Sequence, residues 1–185
     1  MLPSHNGFPR KLLIFSCFFN LIGILRPSAT ISRLLARYQE KTVADIFHDF
    51  PIKVPLIRVF QAVSTPLGLD CWWTKRSIGK PAEGAEYDLW FGSQYYWLAK
   101  VTRYLPNTKF ELEILRADKD WSGTRVGFRL EARGDTTWVH FYHSGWSSAN
   151  EHYKISCNCW AMYLRILRRY LEHGELVPYE SRLDA

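Results

Sequence analysis

The chain has 185 residues, near the usual size of one domain, and 47% of them are apolar, which is ample for a single core. Its formal net charge is +6, but five of the 24 basic residues and no acidic ones fall within residues 1–37. The rest of the chain therefore holds 19 basic against 18 acidic residues. This near balance argues against a nucleic-acid-binding domain, which would carry a basic face.

Four cysteines occur, at positions 17, 71, 157 and 159. Cys157 and Cys159 are two residues apart on a predicted helix, so they point to different sides and cannot pair. No CxxC motif and no His/Cys cluster with metal-ligand spacing is present in the sequence. We therefore expect free thiols, a reducing compartment, no metal site and no cofactor.

The segment from Leu12 to Leu25 is mostly apolar and follows Arg10 and Lys11. It is too short for a membrane span, but with Pro27-Ser28-Ala29 after it the segment resembles a secretory signal. The competing interpretation is that residues 1–39 are a leader or a mis-assigned N-terminal extension. We favour the interpretation of residues 1–39 as a leader or mis-assigned extension, and we expect a cytoplasmic protein, because the domain that follows resembles cytosolic domains. The alternative is that residues 1–29 act as a signal peptide and that the protein is exported.

The first predicted elements are a strand and two short helices. From Thr42 to Ile52 the chain is predicted to be extended, with Ile46, His48, Phe50 and Ile52 on one face. A short helix is predicted over Val54–Val63, with Pro55 in its first turn, and a second short turn or helix over Leu67–Thr74. Trp72 and Trp73 in that second segment cannot share one face of a helix. We expect one in the core and the other at the rim of a cavity.

Alternation with period two then predicts an antiparallel meander. Turns are expected at Pro106-Asn107 and Gly134-Asp135. The predicted strands are Tyr87–Phe91, Tyr95–Thr102, Phe110–Ile114, Arg125–Glu131 and Thr137–His143. The aromatic residues placed on their inner faces are Trp90, Trp97, Phe110, Phe128 and Phe141.

From Ala149 to His173 the apolar period becomes that of a helix, with Asn150 as the N-cap and Gly174 as the stop. At 1.5 Å per residue this helix is roughly 36 Å long, enough to cross a small domain. Together the elements predict an α+β domain over residues 40–178, followed by a tail at 179–185. In it a curved antiparallel sheet wraps around the long helix and leaves a cavity between the two.

Three stretches carry a family resemblance: VPLIRVFQAVSTPLGLDCWWTKRSIGKPAEGAEYDLWFG, TTWVHFYHSGW and CWAMYLRILRRYLEHGE. They resemble the START-like (SRPBCC) superfamily, closest to the branch related to the C-terminal domain of the activator of the heat-shock chaperone ATPase. The resemblance covers residues 40–178 and implies the helix-grip fold with a deep hydrophobic cavity. Members bind lipids, sterols or polyketides, some catalyse cyclisation, and one branch contacts the chaperone.

The candidate site is the aromatic wall of that cavity, together with His143, which shares the inner face of the last strand. As an inward ionisable group, His143 is suited to exchange a proton or orient a ligand carbonyl. The competing interpretation is that the rings fill the interior and that His143 is only hydrogen-bonded to a neighbour. No catalytic residue and no metal ligand is assigned. The expected ligand contacts are Trp73, Trp90, Trp97, Phe110, Phe128, Phe141, His143, Tyr153 and Trp160.

The leading hypothesis is a binding protein for a small hydrophobic ligand (lipid, polyketide or aromatic), with no nucleic-acid partner and no stable membrane insertion. One alternative is a protein–protein module acting on a chaperone or other partner. In that case the cationic patch of Arg165, Arg168 and Arg169 on the long helix meets an acidic surface; otherwise these residues are solvated or paired with sheet carboxylates. A further alternative is a cyclase or hydrolase that uses the same cavity. We expect a binding protein rather than an enzyme.

Overall fold

The computed structural model describes residues 45–184; the expectations for the leader and for Cys17 lie outside these residues. A 3₁₀ helix, Tyr179–Asp184, follows the last α-helix. The elements in chain order are β1 (Ile46–Ile52), α1 (Leu56–Ser64), α2 (Pro66–Asp70), β2 (Arg76–Gly79), β3 (Glu86–Gly92), β4 (Tyr95–Leu105), β5 (Lys109–Arg116), β6 (Arg125–Arg133), β7 (Thr136–Ser144) and α3 (Glu151–His173).

The seven strands form one antiparallel sheet in the order β1-β7-β6-β5-β4-β3-β2. The sheet stays open, so β1 and β2 are its edges. Register shifts interrupt the pairing of β3 with β4 and of β4 with β5, and such bulges increase the local twist. The curved sheet wraps around α3, which confirms the predicted α+β helix-grip fold.

The turn between α1 and α2 is set by three neighbouring residues. Thr65 caps α2, because its hydroxyl accepts a hydrogen bond from the main-chain N–H of Gly68 at 3.1 Å. Pro66 follows at the first helical position, where a missing N–H costs little. A Cβ at position 68 would lie 2.5 Å from the carbonyl oxygen of Gln61, so only glycine allows the two helices to pack this closely.

The long helix α3 has both predicted caps. The side chain of Asn150 accepts from the N–H of Tyr153 at 2.9 Å. Gly174 takes the left-handed conformation with φ 71° and donates its N–H to the carbonyl of Tyr170. The buried residues of α3 are Ser156, Trp160, Leu164, Ile166, Leu167 and Leu171.

Two features differ from the sequence-based expectations. Strand β2 was not predicted, because four residues are too few to show a period. Residues 179–184, predicted as part of a tail, form the 3₁₀ helix, and Arg182 within it is only 5% exposed. Its guanidinium donates to the carbonyls of Thr74 at 3.0 Å and Asp70 at 2.6 Å, which satisfies main-chain oxygens next to the end of α2.

Within residues 45–184, no helix is long and apolar enough to cross a membrane. The same residues contain no group of three or more His, Cys, Asp or Glu side chains arranged to hold a metal ion. Cys71, Cys157 and Cys159 are free thiols.

Candidate functional site

Contiguous aromatic rings fill the space between the sheet and α3. Neighbouring ring centroids lie 4.5 to 6.0 Å apart, the spacing of tilted and edge-to-face pairs. We call this set the aromatic cluster: Trp72, Trp73, Phe91, Trp97, Trp121, Phe128, Phe141, Trp146, Tyr153 and Trp160.

Trp160 of α3 lies at the centre of the aromatic cluster and is 1% exposed. Its ring centroid is 4.5 Å from that of Phe141 on β7 and 5.2 Å from that of Trp73. A third neighbour, Trp121, comes from the loop between β5 and β6, at 5.8 Å. One helix residue therefore joins the last strand, the turn after α2 and a loop into one packed unit.

Several predicted site residues occupy the expected inner face. Phe110, Phe128 and Phe141 are buried there, although Phe110 packs against Tyr87, which is not part of the aromatic cluster. Trp97 is inward and half-buried, with its ring 4.7 Å from that of Phe91. Tyr153, also half-buried, packs edge-on against Trp146.

The placement of Trp90 on the inner face was wrong. The fully buried residues of β3 are Tyr87 and Leu89, so Trp90 has the opposite parity and lies on the outer face. The hydroxyl of Tyr87 donates to the carbonyl of Ser64 on α1 at 2.6 Å, which fixes this register. Trp90 instead lines an outer groove with Arg76, Ile78, Asp88 and Tyr96.

The expectation that one of Trp72 and Trp73 rims a cavity was also wrong, because both are buried. Helix α2 ends at Asp70, so the two residues follow in a turn and are not bound by helical spacing. Their rings stack at 6.0 Å, and the indole N–H of Trp72 donates to the carbonyl of Ala62 at 3.0 Å. Trp73, 3% exposed, packs against Trp160 in the interior.

His143 points inward as predicted and is fully buried. The indole N–H of Trp160 lies 2.9 Å from Nδ1 of His143, and because an indole only donates, Nδ1 accepts. The ring proton is therefore on Nε2, which lies 2.9 Å from the hydroxyl oxygen of Thr124. That hydroxyl donates in turn to the carbonyl of Trp121 at 2.6 Å. Both ring nitrogens are engaged in one directed chain of hydrogen bonds.

Burial, and more weakly the charge of His152, lower the pKa of His143 to about 3. The imidazole is therefore neutral near pH 7. A ligand carbonyl could accept from Nε2 only by displacing Thr124, so the described geometry favours the structural interpretation of His143.

Sequence reasoning missed three cluster residues. Phe91 was overlooked because its neighbour Trp90 was placed on the inner face instead. Trp121 and Trp146 lie in loops. The indole N–H of Trp121 donates to the hydroxyl of Ser156 on α3 at 3.2 Å. Trp146 is buried, and no described residue accepts a hydrogen bond from its indole N–H. The available signal was a tryptophan within an otherwise polar loop, since so large an apolar ring is rarely left in solvent.

The aromatic cluster reaches solvent at Phe91 and Trp97, on neighbouring strands β3 and β4, where the rings are only half-buried. Five of the surface grooves among the described residues have volumes of about 250 to 390 Å³. Trp73, Trp121 and Trp160 line none of these five. The close packing of rings around Trp160 favours the interpretation that side chains occupy much of the interior.

The three arginines of the predicted cationic patch have different surroundings. Arg168 pairs with Glu172 at 3.1 Å and Arg169 with Glu175 at 2.6 Å, so their partners lie on or just after α3 and not on the sheet. Arg165 is exposed, and no described carboxylate lies within 4 Å of it.

Residues 53–172 match the family model described as "Activator of Hsp90 ATPase homolog 1-like protein". This match spans more than half of the chain. The chain belongs to this family. The resemblance to the START-like (SRPBCC) superfamily, and to its chaperone-activator branch, is thereby confirmed. No curated protein matches the chain significantly.

Solved structures share the fold. The Aha1 dimer from Colwellia psychrerythraea is 28% identical, with a TM-score of 0.66 over 72% of this chain and 99% of that chain. CalU16 from Micromonospora echinospora is 18% identical, with a TM-score of 0.57 over 76% of this chain and 83% of that chain. Protein BH1534 from Bacillus halodurans is 24% identical, with a TM-score of 0.59 over 70% and 98% of the two chains.

Proposed function

We propose that this protein binds a small, flat apolar ligand where the aromatic cluster reaches solvent, between the β3–β4 hairpin and α3. The observation that carries the proposal is the continuity of the aromatic cluster from the surface to the interior. Phe91 and Trp97 are half-buried, and their rings continue through Trp73 to Trp160 in the interior. A planar molecule beside Phe91 and Trp97 can form stacked and edge-to-face contacts with these rings.

Entry requires side chains to move, because the rings behind Phe91 and Trp97 are packed against one another. Trp97 is the ring suited to move, since it is half-buried whereas Trp73 and Trp160 are almost fully enclosed. Once turned outward, the Trp97 ring can cover a bound ligand ring, and each aromatic pair contributes about 0.5–1.5 kcal/mol beyond area burial. Trp97→Ala removes this contact. The indole N–H of Trp146, one ring beyond Trp121, has no acceptor among residues 45–184, and a carbonyl on a ligand that reaches Trp121 would satisfy it.

The test has two arms. Native mass spectrometry of freshly purified protein is expected to show a retained small molecule. Titration with the fluorescent probe anilinonaphthalene sulfonate, which carries a flat apolar naphthalene ring, is expected to show saturable binding. Trp97→Ala is expected to weaken it by roughly tenfold, or about 1.4 kcal/mol. The matched control is Trp138→Ala, because Trp138 is also half-buried but lies on the outer face under Arg133.

The proposal fails if the probe binds only in a non-saturable manner, or if Trp97→Ala and Trp138→Ala weaken binding equally. Circular dichroism of both variants establishes that each remains folded. Failure of saturable binding in folded wild-type protein alone would be sufficient to reject the site.

The second candidate function is a module that acts on a partner protein, specifically the chaperone Hsp90. It is supported by the family description and by the 28% identity to Aha1 over nearly all of that chain. The outer groove of about 300 Å³, with Ile78, Trp90 and Tyr96 in its lining, offers an apolar contact surface of the kind found at the centre of interfaces. Under this proposal Trp90→Ala, and not Trp97→Ala, reduces stimulation of purified Hsp90 ATPase activity.

The cyclase or hydrolase alternative depends on His143, and both nitrogens of that ring are already hydrogen-bonded. We therefore propose binding without turnover. Free thiols at Cys71, Cys157 and Cys159 support the proposal of a reducing, cytoplasmic compartment.

A further inference from the structure

Among residues 45–184, no strand pairs with the outer edge of β1, which we call its free edge and which runs alongside α3. Strand β1 pairs with β7 over its whole length and is the last strand of the sheet on that side. Two side chains of α3 form hydrogen bonds with main-chain groups of the residues that flank β1. The hydroxyl of Tyr153 donates to the carbonyl of Asp45 at 3.5 Å, and the carboxylate of Glu172 accepts from the N–H of Lys53 at 2.8 Å.

These two contacts establish which peptide groups of β1 face outward. In an antiparallel strand, alternate residues direct both N–H and C=O to the same side. Because Asp45 and Lys53 face α3, the residues between them with the same parity are Phe47, Asp49 and Pro51. Proline is tolerated at an edge, where its missing N–H breaks no ladder bond. The free edge therefore offers the N–H groups of Phe47 and Asp49 and the carbonyls of all three residues.

A groove of about 250 Å³ follows this edge, and we call it the β1 groove. Its apolar floor includes Phe50 of β1 and Leu164 of α3, and the guanidinium groups of Arg165 and Arg168 lie on its α3 side. Nε2 of His48 is buried without a hydrogen-bond partner among the described residues. The residues that line the β1 groove are His48, Asp49, Phe50, Ala161, Leu164, Arg165 and Arg168.

We propose that the β1 groove binds an extended acidic segment of a partner protein, which adds to the sheet as an eighth strand beside β1. Main-chain groups of the segment pair with those of Phe47 and Asp49, as in other strand-addition complexes. Every second side chain of an added strand points to the α3 side, because side chains alternate with period two. Carboxylates at those positions meet Arg165, which has no described acidic partner, and Arg168, which also pairs with Glu172 at 3.1 Å.

Charge favours an acidic segment of a partner protein in the β1 groove over two other candidates, the N-terminal residues of this chain and a second copy of it. Residues 1–37 of this chain hold five basic residues and no acidic ones, so this segment offers no carboxylate to the two arginines. A second copy paired edge to edge through β1 around a two-fold axis brings its own Arg165 and Arg168 over the same junction. Asp49, the one carboxylate of the β1 groove, is already engaged at 2.9 Å by His140 on the outer face.

The binding test uses the full chain and two fluorescein-labelled synthetic peptides, one of alternating glutamate and valine, the other of alternating lysine and valine. Fluorescence anisotropy is expected to show binding of the glutamate peptide, weakening as salt is raised, and no binding of the lysine peptide. The double variant Arg165→Glu/Arg168→Glu is expected to lower the affinity by roughly tenfold or more. The matched control is Arg103→Glu/Arg125→Glu, which makes the same change of charge on strands β4 and β6, away from the β1 groove. It is expected to leave the affinity for the glutamate peptide unchanged.

Hydrogen exchange tests the strand geometry. The amides of Phe47 and Asp49 are expected to exchange fast in the free protein and slowly with bound glutamate peptide, whereas that of His48, which faces β7, is slow in both states. Phe47→Pro removes one outward donor and is expected to weaken binding. Trp97→Ala, which alters the proposed ligand site, is expected to leave peptide binding intact, so the two proposals fail separately.

Three results overturn the inference. Equal affinity for the two peptides removes the role of charge, and unchanged exchange at Phe47 and Asp49 removes strand addition. Slow exchange of both amides in the free protein shows that the edge is already covered by this chain or by a second copy. Sedimentation then distinguishes those two occupants.

Discussion

The inner and outer faces of strand β7 hold similar side chains in opposite electrostatic surroundings. On the inner face, Phe141 and His143 are fully buried, and the polar atoms of the imidazole are satisfied by neutral groups. On the outer face, His140 lies 2.9 Å from the carboxylate of Asp49, and the guanidinium of Arg133 lies 4.4 Å from the ring centroid of Trp138. The inner face thus depends on packing and neutral hydrogen bonds, and the outer face on charges that salt screens.

Tyr142, next to His143 in sequence, shows the contrast at one group. Its hydroxyl donates to the carboxylate of Glu111 on the outer face. Burial alone would raise the pKa of Glu111, but hydrogen bonds from Tyr142 and Thr102, with nearby basic charge, lower it overall. Burial and the Glu111 carboxylate raise the pKa of the Tyr142 hydroxyl. Two adjacent residues therefore belong to a charged network and a neutral one, separated by the thickness of the sheet.

Removing the central ring of the inner face gives the largest expected effect. Trp160→Ala is expected to lower the free energy of unfolding by about 3–5 kcal/mol, because it empties the middle of the aromatic cluster. Urea denaturation measures the change. Trp138→Ala on the outer face serves as the control, with an expected loss on the order of 1 kcal/mol. Similar losses in the two variants would contradict the contrast between the faces.

A second prediction concerns the close fit beneath Tyr142. A Cβ at Gly127 would overlap the ring of Tyr142, which is held in place by Glu111. Gly127→Ala is expected to cost about 1–3 kcal/mol in unfolding free energy, measured in urea. The same substitution in a Tyr142→Ala background is expected to cost far less. If the two costs simply add, the proposed clash is not the cause.

The third prediction follows from the buried, neutral His143. Its pKa is lowered from 6.5 to about 3 in the folded state, so the unfolded chain binds the proton first as pH falls. Stability is complete above about pH 6.5 and decreases by about 1.4 kcal/mol per pH unit below it. Urea denaturation between pH 7 and 5 measures this slope. We expect a shallower slope in His143→Gln; an unchanged slope would assign the effect to another group, such as His48, whose pKa burial also lowers.

The smallest effect is expected for an exposed ion pair of the outer face. Glu131 accepts from Arg133 at 3.1 Å, but both side chains are about half exposed. Glu131→Gln is expected to leave the urea midpoint unchanged within experimental error, because water and salt screen such a pair. A clear loss of stability that disappears in high salt would show that the outer charges act as a coupled network.

Regular local patterns predicted much of the fold. Thr137, Val139, Phe141 and His143 share one parity in β7, and all four are buried as that pattern requires. Asn150 and Gly174 were recognisable as caps because their roles depend only on neighbouring main chain. The inner face of β3 was harder to predict, because aromatic residues occur at both parities of this strand. A hydrogen bond from Tyr87 to Ser64 on α1 decides which residues face inward.

The interior of the candidate site was less predictable, because loops supply part of it. Trp121 and Trp146 lie between elements, where no period indicates direction. His143 was expected to point inward, but its state is set by Thr124 and Trp160, which lie 19 and 17 residues away in sequence. Whether the cavity is filled depends on how all these rings fit together, and that is a property of volume that residue identity alone does not contain.

The unbroken line of indole rings in the aromatic cluster also has an optical consequence. The rings of Trp72, Trp73, Trp160, Trp121 and Trp97 follow one another at centroid separations of 4.7 to 6.0 Å. Indoles this close share electronic excitation, so light absorbed by one ring is not confined to it. We expect a strong near-ultraviolet circular dichroism signal that belongs to the set, so displacement of one ring would change the spectrum of the whole cluster.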